Sequence, residues 1–150
     1  MFPILTHCGF KNRGLIVIKT IIATPYKPKQ STEFQEAVAF ATICKRHEGI
    51  CPDLKFLFAV PNGGKRSKAS AGKIKAEGGK AGVPDYIWPK AIGNCPGLVI
   101  ELKRKKGGRV SDDQRRTLDY FASQGWSAVV CAGWEEAWAA VKAHMQGWRE

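Results

Sequence analysis

Residues 97–103 read Gly-Leu-Val-Ile-Glu-Leu-Lys, and this short segment constrains the fold more than any other. Leu98, Val99 and Ile100 form an apolar run between Pro96-Gly97 and a basic cluster. That is the pattern of a strand buried on both faces. Side chains alternate along a strand, so Glu101 and Lys103 share one face while Leu102 points the other way. A glutamate at the end of a buried run is costly unless a cation compensates it. Lys103 can do that alone; a divalent metal shared with a second acid would do it better.

Asp85 supplies the second acid, in Gly82-Val83-Pro84-Asp85-Tyr86-Ile87-Trp88. Pro84 lacks a backbone N–H and belongs at a strand start, while Tyr86, Ile87 and Trp88 favour strand. If this strand and the next pair antiparallel, Asp85 and Glu101 meet at one end of the sheet. Hard cations such as Mg2+ take carboxylate oxygens, keep several waters and bind phosphate. Such a metal polarises phosphoryl oxygens and lowers the pKa of water. Lys103 would orient that water or neutralise charge developing on the phosphate. Either acid alone reads better as a surface aspartate or an ordinary Glu–Lys pair. Together, in a basic context, they point to metal-dependent phosphodiester hydrolysis.

The basic context is marked. Among 150 residues, 24 Lys and Arg against 13 Asp and Glu leave a net charge of +11, which implies nucleic acid or an acidic membrane surface as partner. The positive residues cluster on either side of the acids. Lys65, Arg66, Lys68, Lys73, Lys75 and Lys80 follow Asn62, with Glu77 as the one acid among them. Lys103, Arg104, Lys105, Lys106 and Arg109 lead on to Arg115 and Arg116. A merely soluble surface mixes signs more evenly; phosphate contacts account for the imbalance. Candidate nucleic-acid contacts are Asn62, Lys65, Arg66, Lys68, Lys73, Lys75, Lys80, Arg104 and Lys105. The glycines do not form a P-loop, since Gly64-Lys65 is followed by Arg66 and Gly79-Lys80 by Ala81.

The rest of the pattern is that of one α/β domain. Thr32 with Gln35 and Ser111 with Gln114 read as capping boxes, opening helices over 33–47 and up to Ser123. Phe34, Ala37, Val38 and Ala41 are expected on one face of the first helix, and Leu118 and Phe121 on one face of the later one. A strand is expected over 54–60, a short basic helix over 69–77 and a buried strand over 128–131. A last helix over 135–145 has Trp138, Val141 and Met145 at core-facing spacing. Its tryptophans read as core or dimer surface rather than base-stacking platforms. Residues 1–31 read as a leader, with a strand candidate over 15–22 and a linker marked by Pro25, Pro28 and Ser31. The apolar run is too short to span a bilayer, no signal-peptide pattern is present, and a cytoplasmic protein is expected. Five cysteines without a Cys-x-x-Cys pair read as reduced thiols. Cys44, His47 and Cys51 lack a fourth ligand at a familiar zinc spacing.

The ordered motifs resemble the VRR-NUC (virus-type replication-repair nuclease) branch of the PD-(D/E)XK nucleases. They are Thr32-Glu33-Phe34-Gln35-Glu36, Val60-Pro61-Asn62-Gly63-Gly64, Lys75-Ala76-Glu77-Gly78 and Gly82-Val83-Pro84-Asp85. The series continues with residues 97–103, Ser111-Asp112-Asp113-Gln114, and Gly125-Trp126 through Ala137, in order across about residues 32–145. The resemblance implies a nuclease domain over 32–150 with a restriction-endonuclease-like core, a central mixed β-sheet flanked by helices. It implies an Mg2+- or Mn2+-dependent endodeoxyribonuclease of phage or prophage type. Such a protein acts on branched or duplex DNA in replication, recombination or repair, with a homodimer as the expected assembly. Asp85 and Glu101 match the metal-binding acids, the Leu102 carbonyl completes the metal shell, Lys103 matches the catalytic lysine and Gln114 the supporting glutamine. A first-helix glutamate also belongs to the metal site; Glu33 fits its place best, with Glu36 one turn on. Two other classes stay in view: a basic nucleic-acid-binding module without catalysis, and a regulatory subunit using its tryptophan-rich C-terminal part.

Overall fold

Two reciprocal caps start the helices that bracket the sheet. Helix α1 (Glu33–His47) opens where Thr32 Oγ1 accepts the Gln35 amide at 3.2 Å and Gln35 Oε1 accepts the Thr32 amide at 2.8 Å. Ser111 and Gln114 repeat the exchange at 3.2 and 2.9 Å and open the helix Asp112–Ser123. Each box satisfies two of the backbone donors a helix start leaves unpaired. The structure is a computed structural model and describes residues 31–61 and 68–146. The expected leader and 15–22 strand, and the loop containing Asn62, Lys65 and Arg66, lie outside the described residues, as does the side chain of Lys68.

After α1 the chain makes a 3-10 turn (Pro52–Phe56) and a two-residue strand β1 (Phe58–Ala59). Helix α2 (Lys68–Ala76) and strands β2 (Tyr86–Trp88) and β3 (Leu98–Lys103) follow. Helix α3 (Asp112–Ser123), strand β4 (Ser127–Ala132) and helix α4 (Trp134–Gln146) complete the order. The sheet runs β1-β2-β3-β4, with the first two pairings antiparallel and β3–β4 parallel, crossed over by α3. This is a mixed sheet flanked by helices, the architecture expected of the restriction-endonuclease-like core.

Every residue of β3 is buried. Leu98, Ile100 and Leu102 enter the main core with Phe40 and Cys44 of α1 and Ala137 and Val141 of α4. By alternation, Val99, Glu101 and Lys103 face the other way, toward α3, which packs on β3 and β4. The sheet is therefore sandwiched, and its two acids lie on the α3 side.

Three expectations are corrected, the first being the buried strand over 128–131: β4 is an edge strand, with Val130 47% exposed and only Cys131 of those four residues buried. The strand over 54–60 shrinks to Phe58–Ala59, because Pro52 opens a 3-10 turn that buries Leu54 and turns the Asp53 carbonyl to the Trp88 indole N–H at 2.9 Å. The face of α1 also differs. Phe34 and Val38 are 75% and 49% exposed and Ala41 is exposed, whereas Glu36, Phe40 and Cys44 are buried. The ring of Phe40 meets Tyr86 edge-on at 4.9 Å, and the Tyr86 hydroxyl donates to the Ala37 carbonyl at 3.3 Å. These contacts with β2 orient the helix. Trp138 and Met145 pack against the core, as their spacing predicts.

The approach to β2 depends on one close contact. Gly82 has φ +81°, and a Cβ there would lie 2.4 Å from the backbone of Asp113 at the start of α3. Gly82→Ala meets both the backbone strain and the clash, and should cost at least about 1–3 kcal/mol in urea denaturation. Gly49→Ala, where nothing lies within 4 Å of the added carbon, should stay within about 0.5 kcal/mol. Equal effects would mean that the Gly82–α3 contact does not hold the loop.

Candidate active site

The strand register brings the two acids together. Tyr86 pairs with Ile100 across the antiparallel β2–β3 ladder, so Asp85, one residue before β2, stands opposite Glu101. Pro84 and the close fit of Gly82 end the preceding loop at this point. Asp85 Oδ2 accepts the Leu102 amide at 2.8 Å, which fixes its carboxylate against β3.

Glu101 is fully buried. Its Oε1 accepts from Lys103 Nζ at 2.5 Å and from the Gln114 side-chain amide. Its Oε2 is buried with no hydrogen-bond partner. Burial first, opposed by the Lys103 hydrogen bond and reinforced by the negative charge of Asp85, pushes the Glu101 carboxyl up to about 7 from an ordinary 4.5. For Lys103, burial works against the charge. The hydrogen bond and charge of Glu101, with the fields of Glu33 and Asp85, outweigh it and hold the ammonium above its usual pKa. Gln114 serves twice, since its carbonyl caps α3 while its amide holds Glu101.

An orphaned buried carboxylate oxygen beside a second carboxylate is an oxygen-donor set suited to a hard divalent cation. Among the described residues no three His, Cys, Asp or Glu side chains converge as a metal group. Two acids side by side suit an ion that keeps several waters. His47 Nδ1 meets the Ile43 carbonyl at 2.9 Å and its ring packs on Trp138. Cys44 lies in the core, its thiol pushed up to about 12 chiefly by burial.

The two first-helix glutamates have different surroundings. Glu36 is buried, with one oxygen taking the Ser31 hydroxyl and the other the Trp134 amide at 2.9 Å. Glu33 is exposed and close enough to act on Lys103. Glu33 therefore has its carboxylate available on the site side. No local signal separates the two, because the Trp134 partner lies 98 residues along the chain.

The basic candidates divide as well. Arg104 is exposed beside the site, donating to the Gly107 carbonyl at 3.1 Å. Lys105 pairs instead with Glu135 at 2.6 Å. Lys73, Lys75 and Lys80 are exposed on α2 and the turn after it, and none of them bonds to the site acids among the described residues. Arg109, outside the candidate contacts named from the sequence, stands close to Glu33 and Arg104. It lines a cleft with Glu33 and Arg104, and the adjacent Gly107-Gly108 pair was the signal for a turn that brings it back.

With this geometry in hand, comparison with known proteins is direct. Residues 59–135, about half of the chain, match the model of the VRR-NUC domain family. A solved structure of a VRR-NUC domain protein superposes with a TM-score of 0.68 at 26% identity, covering 79% of this chain and 92% of that one. No curated protein matches the chain.

Two outcomes follow from the site. The folded Glu101 carboxyl holds its proton more tightly than the unfolded one, so its contribution to stability is complete below about 4.5 and lost as pH rises through about 7. Lys103 stays charged over this range. In EDTA, the wild-type Tm should fall between about pH 5 and about pH 8 relative to Glu101→Gln, whose amide does not titrate. Parallel profiles would remove the buried carboxyl from this account. Separately, Glu36→Ala should cost about 2–3 kcal/mol in urea denaturation, and Glu33→Ala less than about 0.5. The reverse order would exchange their roles.

Proposed function

This chain belongs to the VRR-NUC domain family, a nuclease family, and from that premise we propose that it is a divalent-metal-dependent endodeoxyribonuclease. The observation that carries the reading is the pairing of Asp85 with Glu101, whose buried Oε2 lacks a partner, beside the charged Lys103. Asp85, Glu101 and the Leu102 carbonyl would hold Mg2+ or Mn2+, with Glu33 facing the same site. When bound, such a cation polarises phosphoryl oxygens and makes water more acidic.

The chain's own groups do the positioning. Gln114 and Lys103 hold Glu101 by one oxygen and leave the other without a partner. Asp85 is fixed by the Leu102 amide, so neither acid has to reorganise before a phosphate arrives. The Lys103 ammonium sits where negative charge develops on the phosphoryl oxygens, and a fixed charge in a buried setting is worth more than one in water. Its carboxylate partner keeps it protonated.

The net charge of +11 and the basic flanks support DNA as the polyanionic partner. Family resemblance supports a branched or duplex substrate, a place in phage or prophage replication, recombination or repair, a cytoplasmic setting and a homodimer, in which two sites would allow paired incisions. Among the described residues no helix is long and apolar enough to cross a membrane.

A labelled panel of four-way junction, flap, duplex and single strand tests the proposal, with Mg2+, Mn2+ or EDTA. Wild type should cut only with metal, and Glu101→Gln should not cut. Binding without cleavage in any metal would instead favour a non-catalytic binding module. Role assignments are separable by Mn2+ calorimetry. Lys103→Ala should lower cleavage by about 10²–10³ with metal affinity near wild type, whereas Asp85→Ala should lose both. Equal affinities in the two variants would overturn that division.

A further inference from the structure

The turn leaving β3 folds back onto the strand it has just left. A Cβ on Gly108 would lie 2.7 Å from Lys103 Cβ, so only glycine permits this approach. Arg104 closes the turn through the Gly107 carbonyl. Between the turn and the start of α1 lies a cleft of about 440 Å³. Ser31, Thr32 and Glu33 wall one side, and Arg104, Gly108 and Arg109 the other. Glu33, on the cleft wall, also acts on the charge of Lys103.

The cleft's chemistry is selective. The Thr32 amide is already taken by Gln35, so the start of the helix supplies little. Arg104 uses one N–H on Gly107 and keeps the rest of its fork. Arg109 is exposed and has no hydrogen bond or ion pair among the described residues. Two guanidiniums against one carboxylate leave an excess of one positive charge. That matches the single negative charge of an internal phosphodiester better than the nearly double charge of a terminal phosphate. Planar guanidinium forks also suit pairs of phosphate oxygens.

We propose that this cleft is a subsite for the phosphodiester next to the scissile one, with Arg104 and Arg109 as its ligands. The assignment rests on the nuclease reading of the adjoining Asp85–Glu101 site. Because the turn is packed on Lys103, a strand seated in the cleft is indexed to the catalytic lysine. Arg109 thus sets which bond is presented and adds affinity without taking part in the chemistry.

Binding of the full chain to labelled duplex DNA in EDTA, between about 50 and 200 mM salt, tests the subsite independently of cleavage. Arg109→Ala should weaken binding and reduce the slope of log K against log salt by about one, and Arg104→Ala likewise. Lys142→Ala is the charge-matched control. It is exposed on α4, whose last turns lie at the far end of β2, where His144 Nε2 meets the Lys90 carbonyl at 2.8 Å. Its slope should match wild type. A wild-type slope for Arg109→Ala in a protein that still cuts DNA overturns the subsite alone. A reduced slope in a protein that cuts nothing in any metal leaves the phosphate subsite standing and removes the nuclease reading. If the Arg109 effect appears only on oligonucleotides with a terminal phosphate, the internal-phosphodiester assignment is overturned.

Discussion

The burial of Glu101 in the central strand is the constraint on which the rest of the structure turns. Removing a carboxylate from water costs several kcal/mol even after relaxation. A single lysine two residues away recovers only part of that. The chain answers with two elements, Lys103 on the same strand and Gln114 from the start of α3, while the β2–β3 register that sets Asp85 opposite adds to the cost. Each answer fixes a piece of the fold. The amide of Gln114 can reach Glu101 only if α3 starts where its capping box places it, and Gly82 lets the loop before Asp85 close against that same turn. One oxygen of Glu101 still has no donor. A rule kept nearly everywhere else in folded proteins is broken at the place where a bound cation would mend it.

A second buried carboxylate shows the contrast. Glu36 has both oxygens satisfied, one by Ser31 and the other by the first amide of α4. It is complete as it stands and acts as a structural clasp between α1 and α4. Glu33, less than one helical turn before it, is left facing Lys103. Two acids of the same type, three positions apart, thus have different surroundings, one tied into the fold and the other exposed within the field of Lys103. The difference is decided by tertiary partners and not by the helix itself.

This explains which parts were legible in advance. The alternation along 97–103 has a period of two and a buried apolar run, so the shared face of Glu101 and Lys103 could be read from seven residues. The capping boxes are local and were equally readable. The buried face of α1 was not, since Phe34-Ala37-Val38-Ala41 and Glu36-Phe40-Cys44 both run at helical spacing. The hydrophobic stripe was the natural choice, but of its residues only Ala37 packs on the core, because Phe40 and Cys44 meet the sheet and Glu36 has a partner 98 residues away. Pro52 outweighed the apolar run at 54–60 by starting a 3-10 turn. Basic clusters gave a net charge without a map. Lys105 looks like its neighbours in sequence, yet it is tied to Glu135, whereas Arg109, five residues beyond Arg104, lines the same cleft.

The same geometry gives the charge of the molecule a direction. Asp53 holds Lys90, Asp113 holds Arg116 and Glu135 holds Lys105, so part of the positive surface is neutralised locally. What remains near the acids is reinforced by the backbone. Helix α3 begins at the amide that holds Glu101, α4 begins at Gly133, whose N–H donates to the Lys103 carbonyl at 2.8 Å, and α1 begins beside α4 through Glu36. Three helix N-termini therefore gather at the end of the sheet where Asp85 and Glu101 lie. Helix N-termini carry partial positive charge and favour anions. Two carboxylates would otherwise repel an approaching phosphate. Set among three such termini, with Lys103, Arg104 and Arg109 nearby, the two acids need not close the site to a polyanion.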